Sequence, residues 1–232
     1  MRSKNFCIIP ARGGSKRIPK KNIKRFCGSP IINYPIKNAL ESKLFEKVIV
    51  STDSEEISQI AKSAGAIVPF RRSEELSNDF ASSTAVIKDA ILRLSNLISA
   101  NDRICCIYPT AVFASTELIK KTFEEFCKIN YPHHLITCSN YDYSIERSLK
   151  FNEKKIAILS NNSFGMERSQ DLEEYFHDAG MIYWGKSRDW QFKENILDEC
   201  TPFFIPRYIA HDIDTLEDWE FAEFIFKKEH EL

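Results

Sequence analysis

The sequence has 232 residues, 43% of them apolar and 28% charged, a composition typical of globular proteins that excludes disordered, collagen-like and coiled-coil chains. The 32 Lys and Arg residues and the 33 Asp and Glu residues leave a net charge of -1, so we expect neither a nucleic-acid partner nor an anionic membrane surface. The longest early apolar run, residues 6–10, is too short for a signal peptide or a membrane span, and we therefore expect a cytoplasmic protein.

Short apolar runs rich in β-branched residues alternate with helical patterns up to about residue 138. The strand candidates are residues 6–9, 48–51, 66–70, 104–108 and 135–138. The helix candidates are residues 55–64 after the capping residue Ser54, residues 86–97, and residues 118–126 after Ser115. This alternation predicts an α/β fold with a mainly parallel sheet covered by helices on both faces.

Ligands of such sheets bind at the carboxyl ends of the strands. In this chain those ends lead into the loops that begin at Pro10, Asp53, Arg71 and Pro109. We therefore expect the functional site to be built from these four loops.

From about residue 140 to residue 195 the alternation changes to shorter strand candidates, at residues 148–151, 156–159 and 181–185. We predict a small β-rich excursion from a single domain that spans residues 1–232. The sequence leaves open whether the excursion covers the substrate pocket, forms a dimer interface, or does both. An extended segment at residues 201–206 and a helix at residues 216–228 complete the chain.

The seven cysteines form no Cys-x-x-Cys pair and have no zinc-finger spacing with a histidine, which predicts reduced and mostly buried thiols. The adjacent His133 and His134 match no common metal-ligand spacing. We therefore expect neither disulfide bonds nor a structural zinc site.

The first strand candidate leads directly into residues 9–22, Ile-Pro-Ala-Arg-Gly-Gly-Ser-Lys-Arg-Ile-Pro-Lys-Lys-Asn. The adjacent Gly13 and Gly14 allow backbone N–H groups to approach an anion without interference from a Cβ atom. The basic residues around them are Arg12, Lys16, Arg17, Lys20 and Lys21. The segment is neither a P-loop nor a Gly-x-Gly-x-x-Gly dinucleotide motif. A solvated basic loop is the alternative, but the position after a strand of an α/β sheet favours a polyphosphate site.

This segment closely resembles the signature of the CMP-sugar synthetases, which activate sialic acids and their bacterial relatives. The resemblance continues at Arg72, Glu75-Leu76, Asp79, Ala81-Ser82-Ser83 and Asp212-Ile213-Asp214-Thr215, and so spans nearly the whole chain. It implies a Rossmann-like nucleotidyltransferase fold, a homodimer, CTP as a substrate and a divalent metal. The residues that it implies for CTP binding are Ala11, Arg12, Gly13, Gly14, Ser15, Lys16, Asn22, Arg72, Ala81 and Ser83. Ser73 departs from the pattern, because the family usually has proline there. A serine leaves the local backbone less rigid, so the motif defines the orientation of the Arg72 side chain less closely.

Asp212 and Asp214 flank Ile213 in a segment that we expect to be extended, so that both carboxylates point to one face and the isoleucine packs inward. Such a pair suits Mg²⁺ or Mn²⁺, with the remaining ligands supplied by water and phosphate oxygens. The alternative is that Asp214 or Thr215 caps the last helix, with Asp218 completing a capping box, and the two roles can coexist.

The reaction that these parts predict is in-line attack of a sugar hydroxyl on the α-phosphorus of CTP, with pyrophosphate as the leaving group. The predicted catalytic residues are Arg12, Lys16, Lys21, Asp212 and Asp214. An acidic sugar requires cationic and hydrogen-bonding partners. The candidates for these are Tyr108, Thr110, Arg147, Arg168, Gln170, Asp178 and Tyr183.

Details in this region separate the branches of the family. Sialate enzymes commonly carry Gln-Pro-Thr-Ser-Pro and Asn-Gly-Ala where this chain has Tyr108-Pro109-Thr110-Ala111 and Asp178-Ala179-Gly180. With residues 168–174 and 183–185, these variants resemble the pseudaminic acid cytidylyltransferases of flagellin and surface-glycan pathways. Activation of N-acetylneuraminate, legionaminate or ketodeoxyoctonate is the alternative within the class. A non-catalytic CTP-binding module is the alternative outside it, against which the retention of Lys16, Asp212 and Asp214 argues.

Overall fold

A computed structural model describes residues 3–130, 134–160, 168 and 172–231. In chain order the strands are β1 Asn5–Pro10, β2 Arg25–Phe26, β3 Ser29–Pro30, β4 Lys47–Ser51, β5 Arg103–Ile107, β6 His134–Asn140, β7 Leu149–Phe151, β8 Ala157–Leu159, β9 Phe176–Lys186 and β10 Thr201–Phe204. The helices are α1 Asn33–Ser42, α2 Glu55–Ser63, α3 Ser83–Arg93, α4 Thr116–Lys128, α5 Ser187–Phe192 and α6 Leu216–Glu229. Among these elements no helix combines the length and the hydropathy needed to cross a bilayer.

Six strands form the central sheet in the order β10-β6-β9-β5-β1-β4. All neighbours pair in parallel except β9, which is antiparallel to both β5 and β6. The expected α/β fold with a mainly parallel sheet is therefore confirmed. The prediction of a strand at residues 66–70 is wrong. Only isolated bridges form in this part of the chain, from Ile67 to Ile49 and from Arg71 to Thr52. Pro69 lies between them and has no N–H with which to continue a ladder.

Strand β9 differs most from the expected pattern. The sequence indicates a short strand at residues 181–185 within the excursion, whereas the structure has an 11-residue strand inside the main sheet. Its residues Ala179 to Gly185 are buried, as expected for a strand covered on both faces. The departure from the sheet is thus the connection between β6 and β9, which contains the antiparallel hairpin β7–β8. The assignment of the chain to a single domain stays a prediction.

The core has two layers, one on each face of the sheet, and the pleat assigns neighbouring residues to opposite layers. Ile9, Cys105 and Trp184 belong to the layer beneath α1, α2, α4 and α6. Ile8, Cys106 and Tyr183 belong to the layer beneath α3 and α5. All seven cysteines are unbridged in this structure, and four of them are buried, as expected, whereas Cys127 is exposed.

Helix starts follow the capping rules at three of the predicted positions. The hydroxyls of Ser54 and Ser115 accept hydrogen bonds from Ile57 N at 3.4 Å and Leu118 N at 3.1 Å. Thr215 and Asp218 form a complete capping box at the start of α6. Helix α1 was not predicted, because it buries only the narrow stripe of Pro35, Ile36, Ala39 and Ser42.

Replacing Ser115 with alanine tests the contribution of one such cap. We expect Ser115→Ala to lower the free energy of unfolding by about 1 kcal/mol, because the N–H of Leu118 loses its acceptor. Urea denaturation measures the change. Ser115→Asp is the control, since it keeps an acceptor and adds a negative charge at the helix N-terminus, and its stability should match the wild type. Equal losses in both variants would contradict the capping role.

Candidate active site

A cavity of about 600 Å³ opens at the carboxyl edge of the sheet. Pro10 at the end of β1, Arg72 beyond the end of β4 and Pro109 after β5 lie in its wall, so the cavity lies at the edge where the sequence predicts the functional site. The predicted site residues that line the cavity are Arg12, Ser15, Lys16, Lys21, Asn22, Arg72, Ala81, Ser83, Tyr108, Thr110, Asp212 and Asp214.

The loop after β1 is fixed to the end of β4 by backbone groups. Ala11 N donates to Ser51 O at 2.9 Å, and Gly13 N donates to Asp53 Oδ1 at 2.9 Å. A Cβ atom on Gly13 would lie only 3.1 Å from Ser54 Cβ, whereas one on Gly14 would meet no described heavy atom within 4 Å. Gly13 therefore allows close packing against the start of α2. Ala11, Gly13 and Gly14 are not among the residues that line the described cavity, so their contact with CTP stays a prediction.

The basic side chains of the loop contact carboxylates from two distant segments. Arg12 Nη1 and Lys16 Nζ lie 2.7 and 2.6 Å from the carboxylate of Asp79. On the other side of the cavity, Arg17 Nη2 and Lys21 Nζ lie 2.8 and 3.1 Å from Asp214 Oδ1. The cavity thus has two cation–carboxylate clusters, both on its wall.

Arg72 is the most buried cation of the wall, with only 4% of its surface exposed. Its Nε donates to Ser77 Oγ at 3.2 Å, and its Nη2 lies 3.8 Å from Asp53 Oδ1. Burial lowers the pKa of Arg72, and the nearby Asp53 opposes that shift. Within the described residues Nη2 has no hydrogen-bond acceptor, so this residue of the cavity wall carries a buried donor whose hydrogen bond is not made.

The segment of Asp212, Ile213 and Asp214 has the geometry expected from its sequence. Ile213 is fully buried, and the two aspartates on either side of it line the cavity. Partial burial raises the pKa of Asp212, and the proximity of Asp214 raises it further, while Lys21 opposes the shift. The capping box of Thr215 and Asp218 is present next to this pair, so the two predicted roles of the segment are compatible.

The donor set fits a hard divalent cation that takes most of its ligands from outside the protein. Two carboxylates face one cavity, and their mutual proximity shows in the raised pKa of Asp212. The described residues contain no group of three or more His, Cys, Asp or Glu side chains that could enclose a metal. Mg²⁺ is commonly held by one or two carboxylates together with water and phosphate oxygens, which is the arrangement possible here.

The predicted sugar-binding residues divide into three groups. Tyr108 and Thr110 line the cavity. Asp178 and Tyr183 lie behind the wall, where Tyr183 Oη donates to the two carboxylate oxygens of Asp178 at 2.8 and 3.0 Å. Arg147 and Arg168 are exposed and away from the described cavity wall. Gln170 lies outside the described residues.

A hydrogen bond between two side chains of the cavity wall connects the start of α3 with the end of β5. Ser83 Oγ and Tyr108 Oη share a hydrogen bond of 2.7 Å, and the ring of Tyr108 lies 5.0 Å from that of Tyr183. Burial raises the pKa of Tyr108 to about 12, so its hydroxyl is protonated at neutral pH and can donate to a ligand.

The sequence matches the family described as Cytidylyltransferase over residues 6–229. The chain belongs to the cytidylyltransferase family. It is 42% identical over 229 residues to the pseudaminic acid cytidylyltransferase of Campylobacter jejuni subsp. jejuni serotype O:2, with 98% of each chain covered. It is 30% identical over 226 residues to the CMP-N,N'-diacetyllegionaminic acid synthase of Legionella pneumophila, with 94% of each covered.

The fold of this cytidylyltransferase also resembles a solved structure, CMP:2-keto-3-deoxy-manno-octonic acid synthetase complexed with CTP. The TM-score is 0.70, and the alignment covers 98% of this chain and 100% of the other. The sequence identity is 19%, so this similarity supports the nucleotidyltransferase fold alone.

Several residues of the cytidylyltransferase site were missing from the predicted set. Arg17 and Asp79 line the cavity and occur in the quoted motifs, but no role had been assigned to them. Asp53 accepts a hydrogen bond from Gly13 N and lies close to the guanidinium of Arg72. Its position directly after a strand was the sequence feature that indicated a place near the site. Gly180 has a φ of +64° and lies against Asp212, where a Cβ atom would be 3.3 Å from Asp212 Cβ. Local sequence patterns do not reveal such a contact.

The two loop glycines provide a matched test of the packing behind the cavity. We expect Gly13→Ala to lower the free energy of unfolding by about 1–3 kcal/mol, because the new methyl group crowds Ser54. Gly14→Ala should stay within about 0.5 kcal/mol of the wild type, because it meets no described atom. Urea denaturation of both variants measures the difference. Equal stability of the two variants would show that the approach of Gly13 to α2 does not constrain the loop.

Proposed function

We propose that this cytidylyltransferase couples CTP to pseudaminic acid, giving CMP-pseudaminic acid and pyrophosphate. The observation that carries the proposal is the similarity over nearly the full length to the pseudaminic acid cytidylyltransferase of Campylobacter jejuni. A basic loop, a buried arginine and an aspartate pair around one cavity support it, because a nucleoside triphosphate requires cations and a metal at its phosphates.

The triphosphate would lie along the loop after β1. Arg12, Lys16 and Lys21 supply positive charge there, and Ser15 supplies a hydroxyl. Asn22 orders the loop, because its Nδ2 donates to Arg12 O at 2.8 Å. Charged donors of this kind bind phosphate oxygens more strongly than neutral donors do.

The cytidine would occupy the side of the cavity formed by Arg72, Ala81 and Ser83. The unpaired Nη2 of Arg72 is a buried donor that a carbonyl or hydroxyl oxygen of the nucleoside would satisfy. Ser83 is already oriented by its hydrogen bond to Tyr108, so little ordering is required when the nucleoside binds.

Asp212 and Asp214 would hold the divalent cation, which we propose is Mg²⁺. When bound, the metal would neutralise charge on the phosphate oxygens and lower the pKa of the attacking hydroxyl. Lys21 keeps the segment in place, because its Nζ donates to Ile213 O at 2.7 Å and contacts Asp214 at 3.1 Å. Both aspartates therefore face the cavity before any ligand arrives.

In the proposed reaction the anomeric hydroxyl of the sugar attacks the α-phosphorus of CTP in line with the leaving pyrophosphate. The P–O bond to pyrophosphate breaks as the new P–O bond to the sugar forms, and the hydroxyl proton is lost. Arg12 and Lys16 would offset the negative charge that develops on the departing pyrophosphate.

The sugar would bind on the side of Tyr108 and Thr110, which are the two predicted sugar ligands in the cavity wall. The roles proposed for Asp178 and Tyr183 require them to act from behind the wall, and those of Arg147, Arg168 and Gln170 require the β6–β9 connection to approach the site. We also propose a homodimer, because this connection exposes Leu149, Phe151 and Ile156 on its hairpin.

Substrate preference is the direct test of the proposal. Incubation with CTP and Mg²⁺ and with each sugar in turn should release pyrophosphate fastest with pseudaminic acid. N-acetylneuraminate, legionaminate and ketodeoxyoctonate are the competing acceptors, and kcat/KM for each is the quantity to compare. A higher kcat/KM with another acid would correct the sugar assignment. Binding of CTP without turnover of any acid would indicate a non-catalytic module.

The aspartate pair is tested by isosteric replacement. We expect Asp212→Asn to lower kcat at least a hundredfold, because the removed charge is one of the two proposed metal ligands. Glu217→Gln is the control, since it removes a negative charge from the first turn of α6 next to the pair but lies outside the described cavity wall. That control should keep its turnover and stay within about 0.5 kcal/mol of the wild-type stability. Near-normal kcat in Asp212→Asn would contradict the metal assignment.

A further inference from the structure

A carboxylate of the protein already contacts two of the cationic side chains that we propose bind the triphosphate. Arg12 Nη1 donates to Asp79 Oδ1 at 2.7 Å, and Lys16 Nζ lies 2.6 Å from Asp79 Oδ2. Each oxygen of Asp79 therefore contacts one of these two cations. Arg12 Nη1 also donates to the neighbouring carbonyl, Asn78 O, at 2.8 Å. The arrangement is the one expected for an anion seated between two phosphate-binding side chains.

The contact is polar and open to solvent. The Lys16 side chain is 82% exposed and that of Asp79 is 38% exposed. Exposed ion pairs of this kind contribute little to folding stability. The hydrogen bond from Lys16 lowers the pKa of Asp79, followed in effect by the contact with Arg12, so the carboxylate is ionised at neutral pH. The main consequence of the contact is that one negative charge offsets half of the positive charge of two cations of the cavity.

Asp79 belongs to a short turn that also forms the proposed cytidine side of the cavity. Asn78 Oδ1 accepts hydrogen bonds from Phe80 N at 2.8 Å and Ala81 N at 3.0 Å, which shapes the turn. Phe80 is 95% exposed, so this turn has little packing to hold it in one position. Ala81 lies only two residues from Asp79 and lines the same cavity. Movement of Asp79 and access to the cavity are therefore coupled through one segment.

We propose that Asp79 is an internal competitor for the triphosphate site, which contacts Arg12 and Lys16 and offsets one of their two positive charges when no polyphosphate is bound. This inference rests on the proposed function. A polyphosphate carries several negative charges and displaces the single carboxylate, whereas an anion with one phosphate group competes less well. After the reaction, the return of Asp79 to Arg12 and Lys16 favours the release of pyrophosphate. Asp79 is thus a residue that determines specificity for polyphosphate.

Asp79→Asn is the test, because it removes the charge and keeps the size and one acceptor oxygen. We expect the Kd values for CTP and for inorganic tripolyphosphate to fall about threefold to tenfold, as measured by isothermal titration calorimetry of the full chain with Mg²⁺. The difference should grow as ionic strength is lowered. Inhibition of turnover by pyrophosphate should become stronger by a similar factor.

Glu56→Gln provides the matched control. Glu56 contacts Lys20 of the same basic loop at 2.7 Å, in an exposed ion pair like that of Asp79 and Lys16. It lies outside the described wall of the active-site cavity. Its removal should leave both Kd values within about twofold of the wild type. An equal gain in affinity in both variants would overturn the proposal, since it would reflect only the change in net charge.

An unchanged or weaker Kd in Asp79→Asn would also overturn the proposal, and weaker binding of CTP would indicate that Asp79 contacts the nucleotide or its metal directly. Tripolyphosphate separates this question from the proposed function, because it tests the cation site without a cytidine or a sugar. If the wild type binds tripolyphosphate but does not turn over any sugar, the proposed function is refuted. The Kd values of the wild type and Asp79→Asn for tripolyphosphate would still decide whether Asp79 is a competitor. If neither the wild type nor Asp79→Asn binds tripolyphosphate, the competitor role of Asp79 is refuted.

Discussion

One carboxylate oxygen, Oδ1 of Asp53, connects two parts of the active-site cavity that are far apart in the sequence. It accepts the hydrogen bond from Gly13 N at 2.9 Å and lies 3.8 Å from Nη2 of the buried Arg72. Asp53 is near both because β4 pairs in parallel with β1, with Pro10 opposite Ser51, so the two strands end side by side. The proposed phosphate loop and the proposed cytidine ligand therefore derive their relative positions from one strand pairing and one acceptor.

The charges of the cavity explain how a chain with a net charge of only -1 can present the proposed polyphosphate site. Arg12 and Lys16 contact Asp79, while Arg17 and Lys21 contact Asp214. The positive loop is thus balanced by carboxylates from two other segments, and a ligand has to exchange with them. In the proposed reaction Asp214 would lose part of its contact with Arg17 and Lys21 and bind a metal instead. Asp79 would move away from Arg12 and Lys16, which would then bind the phosphates.

Local patterns predicted the features of this protein that depend on neighbouring residues. The caps at Ser54, Ser115 and Thr215 and the inward Ile213 between two aspartates are of this kind, as are four of the five early strands. Features that depend on distant pairing were missed. The sequence of β9 does not reveal that it lies between β5 and β6, and the pattern at residues 66–70 does not show that Pro69 interrupts the ladder. The same limit applies to the hydrogen bonds from Tyr183 to Asp178, which the sequence does not reveal, while the contact of these residues with the sugar stays a prediction.

Strand β9 runs against its neighbours, so it begins at the edge where β5 and β6 end, with Phe176 opposite Asn140. The connection from β6 to β9 consequently leaves the sheet and returns to it at the carboxyl edge of β5 and β6, with both ends fixed by the pairing of β6 with β9. A change of length or composition in that connection leaves the pairings of β1 with β4 and β5 intact. Under the proposed function, acceptor preference can therefore diverge during evolution through changes in this segment and at Tyr108 and Thr110, while the strand pairings behind the proposed nucleotide site are retained.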